Sequence, residues 1–302
     1  MHPTQPHWTL FLVVLGGPLV LGAAAFFVRR REPAPAAAVA PWDWALVAHS
    51  TLLYTLAFNL TFFLQELFLV VPKALTPGLQ PTLFHNNHSW SGTNPLAALF
   101  QGTGALVIFL GAGVGAWVLA RRAKLAPTGR LFCAWMVFHG FLQSLPQVAL
   151  GGVSSGGDVG MAMTYLQLGP TTKIAASLAA LVAMPFVGLA LTRPLLELAP
   201  SDAAVATPRG RAKFIANLAT VPALLAIPLI ILYRVPRETI EVVAPPIAVA
   251  LLGAPWLQTN AWRVTSVRTK GSSHAAWRMP AIACLALLLF FHLVLRPGVK
   301  FY

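Results

Sequence analysis

The chain has 302 residues, of which 57% are hydrophobic and only 10% are charged, and its formal net charge is +13. Soluble domains carry about 25% charged residues, so the composition excludes an ordinary soluble protein and predicts an all-α protein that spans a membrane several times. The basic residues lie almost wholly in short connections beside apolar runs, which is typical of membrane topology and argues against a nucleic-acid partner.

Apolar runs along the chain predict about eight transmembrane helices in a single membrane domain over residues 1–302. Each run is long enough to cross a hydrocarbon core of about 30 Å. Arg29, Arg30 and Arg31 follow the first run, which is the reverse of the charge order in a signal peptide, so we expect a retained span there. The predicted spans are 9–28, 44–71, 96–120, 131–150, 172–192, 213–233, 241–260 and 277–295.

The distribution of Lys and Arg predicts the orientation of these spans. With the N-terminus outside, 15 of the 21 Lys and Arg residues fall in inside segments, and every inside connection is basic. The positive-inside rule therefore predicts that both termini are extracytoplasmic. The consistent bias of Lys and Arg toward inside segments fits a multi-pass protein of a bacterial plasma membrane.

The second span carries Glu66, the only acidic residue that this topology places inside the membrane away from the end of a span. A carboxylate in an apolar span costs about 2.5–3.5 kcal/mol on insertion scales, so such a residue is a candidate functional group. Gln65 is its neighbour, and Asn59 lies two helical turns earlier on the same face. Glu66 is expected about 8 Å below the outer boundary.

The fourth span has a polar stripe of His139, Gln143 and Gln147 at i, i+4 and i+8. This spacing places the three side chains on one face of the helix, with Gln143 and Gln147 rising to about the depth of Glu66. Polar side chains of this kind often join membrane helices by hydrogen bonds. Together with Glu66 they predict a polar cluster in the extracytoplasmic half of the bundle.

Two outside loops bring candidate zinc ligands above this cluster. The first loop, 72–95, contains His85 and His88, and the second, 151–171, contains Asp158. Histidines three apart with a nearby carboxylate are able to bind zinc. The alternative is an interfacial loop whose histidines cap helix ends and meet water or headgroups.

Histidines near the middle of the membrane raise the question of a b-type haem, which needs two facing axial ligands at matched depth. The candidates are His49, His139 and His292. A single buried histidine is more often a hydrogen-bonded core residue, so the sequence does not favour haem b.

Residues 57–165 resemble the site-2-protease type of membrane zinc metallopeptidase. The segment Gln65–Leu69 (QELFL) stands where that family has HExxH, with Glu66 at the catalytic-glutamate position. The Gly-rich helix after Asn94 and the later Asp158 match the order of the family's elements. Both motif histidines are absent, since Gln65 and Leu69 occupy their positions. The resemblance therefore implies a relative without that zinc site.

These observations favour a non-enzymatic binding, accessory or scaffold protein, with other membrane-protein subunits as candidate partners. A first alternative is a metal-dependent membrane hydrolase, in which Glu66 acts as general base and His85, His88 and Asp158 hold the metal. A second alternative is a small transporter, in which Glu66 is the proton-coupling carboxyl group.

Overall fold

The computed structural model describes residues 12–20, 23–24, 42–121, 125–237, 239–270 and 276–302. Within these ranges, six helices are long and apolar enough to cross a membrane. The prediction of a helical membrane protein is confirmed at this level. The six segments are Trp44–Ala74, Leu96–Arg121, Pro170–Leu196, Pro208–Arg234, Thr239–Asn260 and Arg278–Leu295.

The helices are numbered here in chain order. The first half of the chain contains α1 (Trp44–Ala74), α2 (Leu96–Phe100), α3 (Thr103–Arg121), α4 (Pro127–Gly151), α5 (Asp158–Tyr165) and α6 (Pro170–Leu196). The second half contains α7 (Asp202–Val205), α8 (Pro208–Ile215), α9 (Val221–Arg234), α10 (Thr239–Asn260) and α11 (Arg278–Phe290). One π-helical segment, Ala216–Thr220, joins α8 to α9, and another, Phe291–Leu295, follows α11.

Helices occupy the positions of all the predicted spans from the second to the eighth. The predicted fourth span is α4, a helix of 25 residues that is not among the six apolar ones. Its lower hydropathy has a physical reason, because α4 packs against α1, α3, α5, α6 and α10 and meets protein on most sides. In the predicted first span, residues 12–20 and 23–24 are helical, and the rest of 9–28 lies outside the described residues.

Apolar side chains cover the outward face of α3. Leu106, Leu110, Val114 and Trp117 are each more than half exposed. Their spacing of three to four residues places them on one face of the helix. A stripe of this kind is stable against lipid tails and costly against water, so it fits contact with the bilayer.

A small antiparallel sheet corrects the expectation of a purely helical protein. Strand β1 (Leu79–Leu83) pairs with β2 (His88–Gly92) on one side and with β3 (Val299–Lys300) on the other. The β1–β2 hairpin turns through a hydrogen bond from Phe84 N to Asn87 O of 2.8 Å. At its open end Gly92 has φ +104°, and a Cβ there would lie 1.8 Å from the Gly78 carbonyl oxygen, so only glycine fits.

Three apolar clusters of described residues hold these elements together. The largest joins α1, α4, α6, α9 and α10 around wholly buried aromatic rings, including Tyr54, Trp135 and Phe138. A second cluster consists of Val70, Leu83, Tyr233, Phe291 and Leu295, and a third of Ala105, Val159 and Met163. Since Val70 lies near the end of α1 and Leu83 ends β1, the second cluster anchors the hairpin against the end of α1.

Candidate functional site

Glu66 and His88 form a buried pair where the hairpin meets α1. Glu66 Oε2 lies 2.8 Å from His88 Nδ1, and the side chains of both residues are only 8% exposed. Glu66 comes from α1, whereas His88 is the first residue of β2. The hairpin therefore holds the imidazole of His88 against the carboxyl group of Glu66, which the sequence indicated as a candidate functional group.

The other nitrogen of His88 is held by Gln101, which lies between α2 and α3. His88 Nε2 is 2.9 Å from Gln101 Oε1, and Lys73 Nζ donates to the same oxygen at 2.9 Å. An ammonium group has only donors, so Lys73 requires the oxygen of the Gln101 amide at this position. His88 Nε2 must then carry a hydrogen, because it faces the same acceptor oxygen.

Lys73 and Trp90 enclose this network. Lys73 is completely buried, donates to Leu69 O at 2.7 Å, and lies 4.7 Å from the centroid of the Trp90 ring. The Trp90 ring stacks on His88 with an interplanar angle of 13° and a centroid distance of 5.7 Å. The aromatic face thus shields the cation and the imidazole together, and a cation–π contact of this kind strengthens when water is excluded.

The polar stripe of α4 joins the same site through Gln65. Gln147 Nε2 donates to Gln65 Oε1 at 2.8 Å, and Gln65 Nε2 lies 3.5 Å from Glu66 Oε1. Gln143 Nε2 donates to Phe58 O at 3.3 Å. The structure therefore brings Glu66, Gln65 and Gln147 together at the α1–α4 contact, and Gln143 joins the two helices at Phe58.

Asp158, at the start of α5, lies within electrostatic range of the cluster. Burial raises the pKa of its carboxyl group, and the negative charge of Glu66 raises that pKa further, whereas His88 and Lys73 act in the opposite direction. Two acidic groups thus share a region that holds the buried cation of Lys73. The Glu66 carboxylate makes ionisation of Asp158 less favourable.

His85 lies apart from this cluster, although it is only three residues from His88. Its ring is 5.7 Å from the ring of His292, and both of its nitrogens are buried without a hydrogen-bond partner. Burial first, and then His292, lowers the pKa of His85 to about 4. Among the described residues there is no group of three His, Cys, Asp or Glu side chains arranged to hold a metal ion, so the zinc site of His85, His88 and Asp158 stays a prediction.

The histidines considered for haem have separate surroundings. His139 packs among Tyr54, Phe58 and Phe138, with a ring centroid distance of 4.2 Å to Tyr54. His49 Nε2 lies 3.4 Å from Thr128 Oγ1. His292 Nε2 lies 2.9 Å from Leu232 O. Asn59, the last of the predicted polar residues, is completely buried and donates to Thr55 O at 2.8 Å.

Sequence reasoning missed Lys73, Trp90 and Gln101. Lys73 was assigned to an outside loop, yet it follows Glu66 by seven residues, and two helical turns place it on the same face of α1. That spacing was the available signal. No local pattern marks Gln101 or Trp90, because their roles depend on how the hairpin folds back over α1.

Comparisons with protein-family models, with curated proteins and with solved structures found no match to this chain.

Proposed function

We propose that this protein is a proton-coupled membrane carrier in which the Glu66–His88 pair takes up and releases one proton. The observation that carries the proposal is the 2.8 Å contact between Glu66 Oε2 and His88 Nδ1, made while His88 Nε2 faces an oxygen fixed by Lys73. Buried acidic groups within membrane bundles are typical members of proton relays.

The contact contains one transferable proton. With a hydrogen on Nε2, His88 Nδ1 is either protonated and facing a carboxylate, or unprotonated and accepting from a carboxylic acid. Both forms have one proton between the two atoms. When that proton leaves, a carboxylate oxygen faces the lone pair of the imidazole, and the contact becomes repulsive.

Loss of the proton would also loosen the contact of β2 with α1. His88 belongs to β2 and Glu66 to α1, whereas β1 holds the hairpin on α1 through the cluster that contains Val70 and Leu83. Repulsion between the two side chains therefore favours movement of β2 away from the helix. Protonation coupled to movement at the outer end of the bundle is what a proton-driven carrier requires.

The proposal includes the finer topology. The chain has eight spans, with α4 as the fourth, both termini are extracytoplasmic, and the protein lies in a bacterial plasma membrane. The length of α4 supports its place, since 25 residues extend about 37 Å, more than the hydrocarbon core of about 30 Å. The bias of Lys and Arg toward inside connections supports the orientation.

The experiment is a pH jump on proteoliposomes adsorbed to a solid-supported membrane, which records charge displacement without knowledge of the transported solute. We expect wild-type protein to give a transient current when the outer pH changes. Glu66→Gln removes the titrating carboxyl group and keeps the shape of the side chain, so the current should fall at least about ten-fold if this pair contributes the main displaced charge.

Glu241→Gln is the matched control, because Glu241 pairs with Arg237 outside the cluster and is partly exposed. It should retain the wild-type current. An unchanged current in Glu66→Gln, or no current in the wild type, would contradict the proposal. The accessory and hydrolase hypotheses stay predictions, and co-purification of a stoichiometric subunit or of bound zinc would favour them.

A further inference from the structure

Some buried polar atoms in the packing of α1 against its neighbours have no partner. The hydroxyl of Tyr54 and Oδ1 of Asn59 have no hydrogen-bond partner among the described residues, and the ring nitrogens of His139 have no side-chain partner there. All three side chains are completely buried. Unpartnered groups of this kind are rare in native proteins, and each calls for an explanation.

Several other buried polar residues in the bundle have hydrogen-bond partners, although Arg234, away from this contact, also has two nitrogens without a partner in the described part of the chain. Ser177 donates to Ala149 O, Thr192 donates to Gly188 O, and Tyr233 donates to Cys284 O at 2.6 Å. The contrast between the two buried tyrosines is the clearest. Tyr54 and Tyr233 are 0% and 3% exposed, yet only the hydroxyl of Tyr54 is without a partner.

Tyr54 and His139 lie on a line of polar groups that we name the α1–α4 seam. It consists of the α1 residues His49, Ser50, Tyr54 and Gln65 and the α4 residues Thr128, His139, Gln143 and Gln147. The contacts that cross it include Gln147 to Gln65 at 2.8 Å, the Tyr54 and His139 rings at 4.2 Å, and His49 to Thr128 at 3.4 Å.

The seam covers most of the thickness of the hydrocarbon core, which is about 30 Å. His49 and Glu66 are 17 residues apart on α1, which corresponds to about 26 Å along the helix axis. Its outer end meets the Glu66–His88 pair through Gln65. Between Tyr54 and His49, Trp135 Nε1 donates to Ser50 Oγ at 3.1 Å, so polar groups continue toward the other end.

We propose that the α1–α4 seam holds internal water molecules that connect the Glu66–His88 pair to the opposite side of the membrane, with His139 as the relay at mid-depth. This inference rests on the proposed function. Buried water typically binds to polar groups that lack other partners, as the hydroxyl of Tyr54 does. His139 accepts a proton from water on one ring nitrogen and releases one to water from the other, so the relay returns to its starting charge.

The test is radiolytic hydroxyl labelling of the full chain in lipid nanodiscs, read out by mass spectrometry. Radicals formed from internal water label nearby side chains even where bulk solvent has no access. We expect Tyr54 to be labelled several-fold faster than Tyr233, since the two share the same intrinsic reactivity and nearly the same exposure. Equal slow labelling of both tyrosines would overturn the inference.

A variant comparison places the water at the seam. His139→Leu removes both ring nitrogens, so labelling of Tyr54 should fall toward the rate of Tyr233. Ser144→Ala is the control on the same helix, because Ser144 donates to its own helix at Gly140 O, and it should leave Tyr54 labelling unchanged. A Tyr54 rate that is the same in His139→Leu as in wild type would contradict the relay position.

These measurements separate this inference from the proposed function. Labelling detects water at Tyr54 whether or not Glu66 titrates, and the pH-jump current tests Glu66 whether or not the seam is hydrated. Rapid labelling of Tyr54, without an effect of Glu66→Gln on the current, would support a hydrated seam and contradict the proposed carrier function. A loss of current in Glu66→Gln, together with slow labelling of Tyr54, would support the proton site and contradict the water path.

Discussion

Lys73 and His88 share one acceptor atom, Gln101 Oε1, which lies 2.9 Å from Lys73 Nζ and 2.9 Å from His88 Nε2. Because the ammonium group requires an oxygen at that position, Lys73 determines which nitrogen of His88 carries the fixed hydrogen. The other nitrogen is thereby left to face Glu66. A residue on α1 thus sets the protonation pattern of a residue on β2 through the amide between them.

Replacing Lys73 with Met should therefore disturb the site and the stability together. The change removes the buried cation beside Glu66 and Asp158 and frees the Gln101 amide to turn. Removing one partner of a buried charged network costs on the order of 3 kcal/mol. We expect a clearly lower melting temperature in detergent, measured by intrinsic fluorescence, and a weaker pH-jump current.

The control for this prediction is Lys173→Met. Lys173 Nζ donates to Thr164 Oγ1 at 3.2 Å in an exposed position, and exposed charges contribute little to stability. Its melting temperature should stay close to that of the wild type. Equal effects of the two substitutions would contradict the special role of Lys73.

Much of the fold was predictable from the sequence because the thickness of the bilayer sets a minimum length for each apolar helix. A span needs about 20 apolar residues, so the ranges of α1, α6 and α10 follow from composition to within a few residues. The predicted sixth span, 213–233, covers the end of α8, the π-helical segment and α9. The hairpin was not predictable in this way. Strand β1 contains Pro81 and the turn contains Asn86 and Asn87, so the segment lacks a clear strand pattern. The stability of the hairpin comes from contacts with α1 and with β3 near the end of the chain.

The candidate site was predictable only where its residues share a helix. The spacing of Gln143 and Gln147 fixes one face of α4, and helix geometry places Glu66 at a matching depth. The distinction between His85 and His88 could not be made from their positions, since the two lie on opposite sides of a tight turn. His88 faces Glu66 and Gln101, whereas His85 packs against His292.

The contact between Gln65 and Gln147 predicts a measurable coupling between α1 and α4. Gln147→Leu alone leaves Gln65 Oε1 without its 2.8 Å donor, and Gln65→Leu alone removes the acceptor. Interhelical hydrogen bonds in membrane proteins contribute about 1 kcal/mol. A double-mutant cycle by chemical denaturation in mixed micelles should therefore give a coupling free energy of about this size, and strictly additive effects would contradict the contact.

Acid sensitivity of the hairpin should depend on His85. Burial and the neighbouring His292, Arg296 and Arg234 hold the pKa of His85 at about 4, below the value of about 6.5 for an unfolded chain. The unfolded state then binds more protons between these values, so this contribution to stability is complete above about pH 6.5 and is lost as the pH falls toward 4.

The corresponding variant is His85→Leu. Its melting temperature should fall less steeply than that of the wild type between about pH 6.5 and 4, because the shift of the His85 pKa corresponds to about 3 kcal/mol at its limit. Above pH 7 the slopes of the two proteins should agree. Parallel slopes over the acid range would show that His85 does not titrate in this way.

The eight-span topology predicts opposite accessibility for two loops that the structure describes. Ser91 is exposed at the end of β2, and Ala203 is exposed in α7, between α6 and α8. In a background with Cys133 and Cys284 replaced by Ala, a membrane-impermeant maleimide added to intact cells should label Ser91→Cys and leave Ala203→Cys unlabelled. Permeabilised cells should label both, which controls for reactivity. Labelling of Ala203→Cys in intact cells would place that loop outside and contradict the proposed orientation. In that case α1, α3, α4 and α6 could not alternate across the membrane as the bias of Lys and Arg requires.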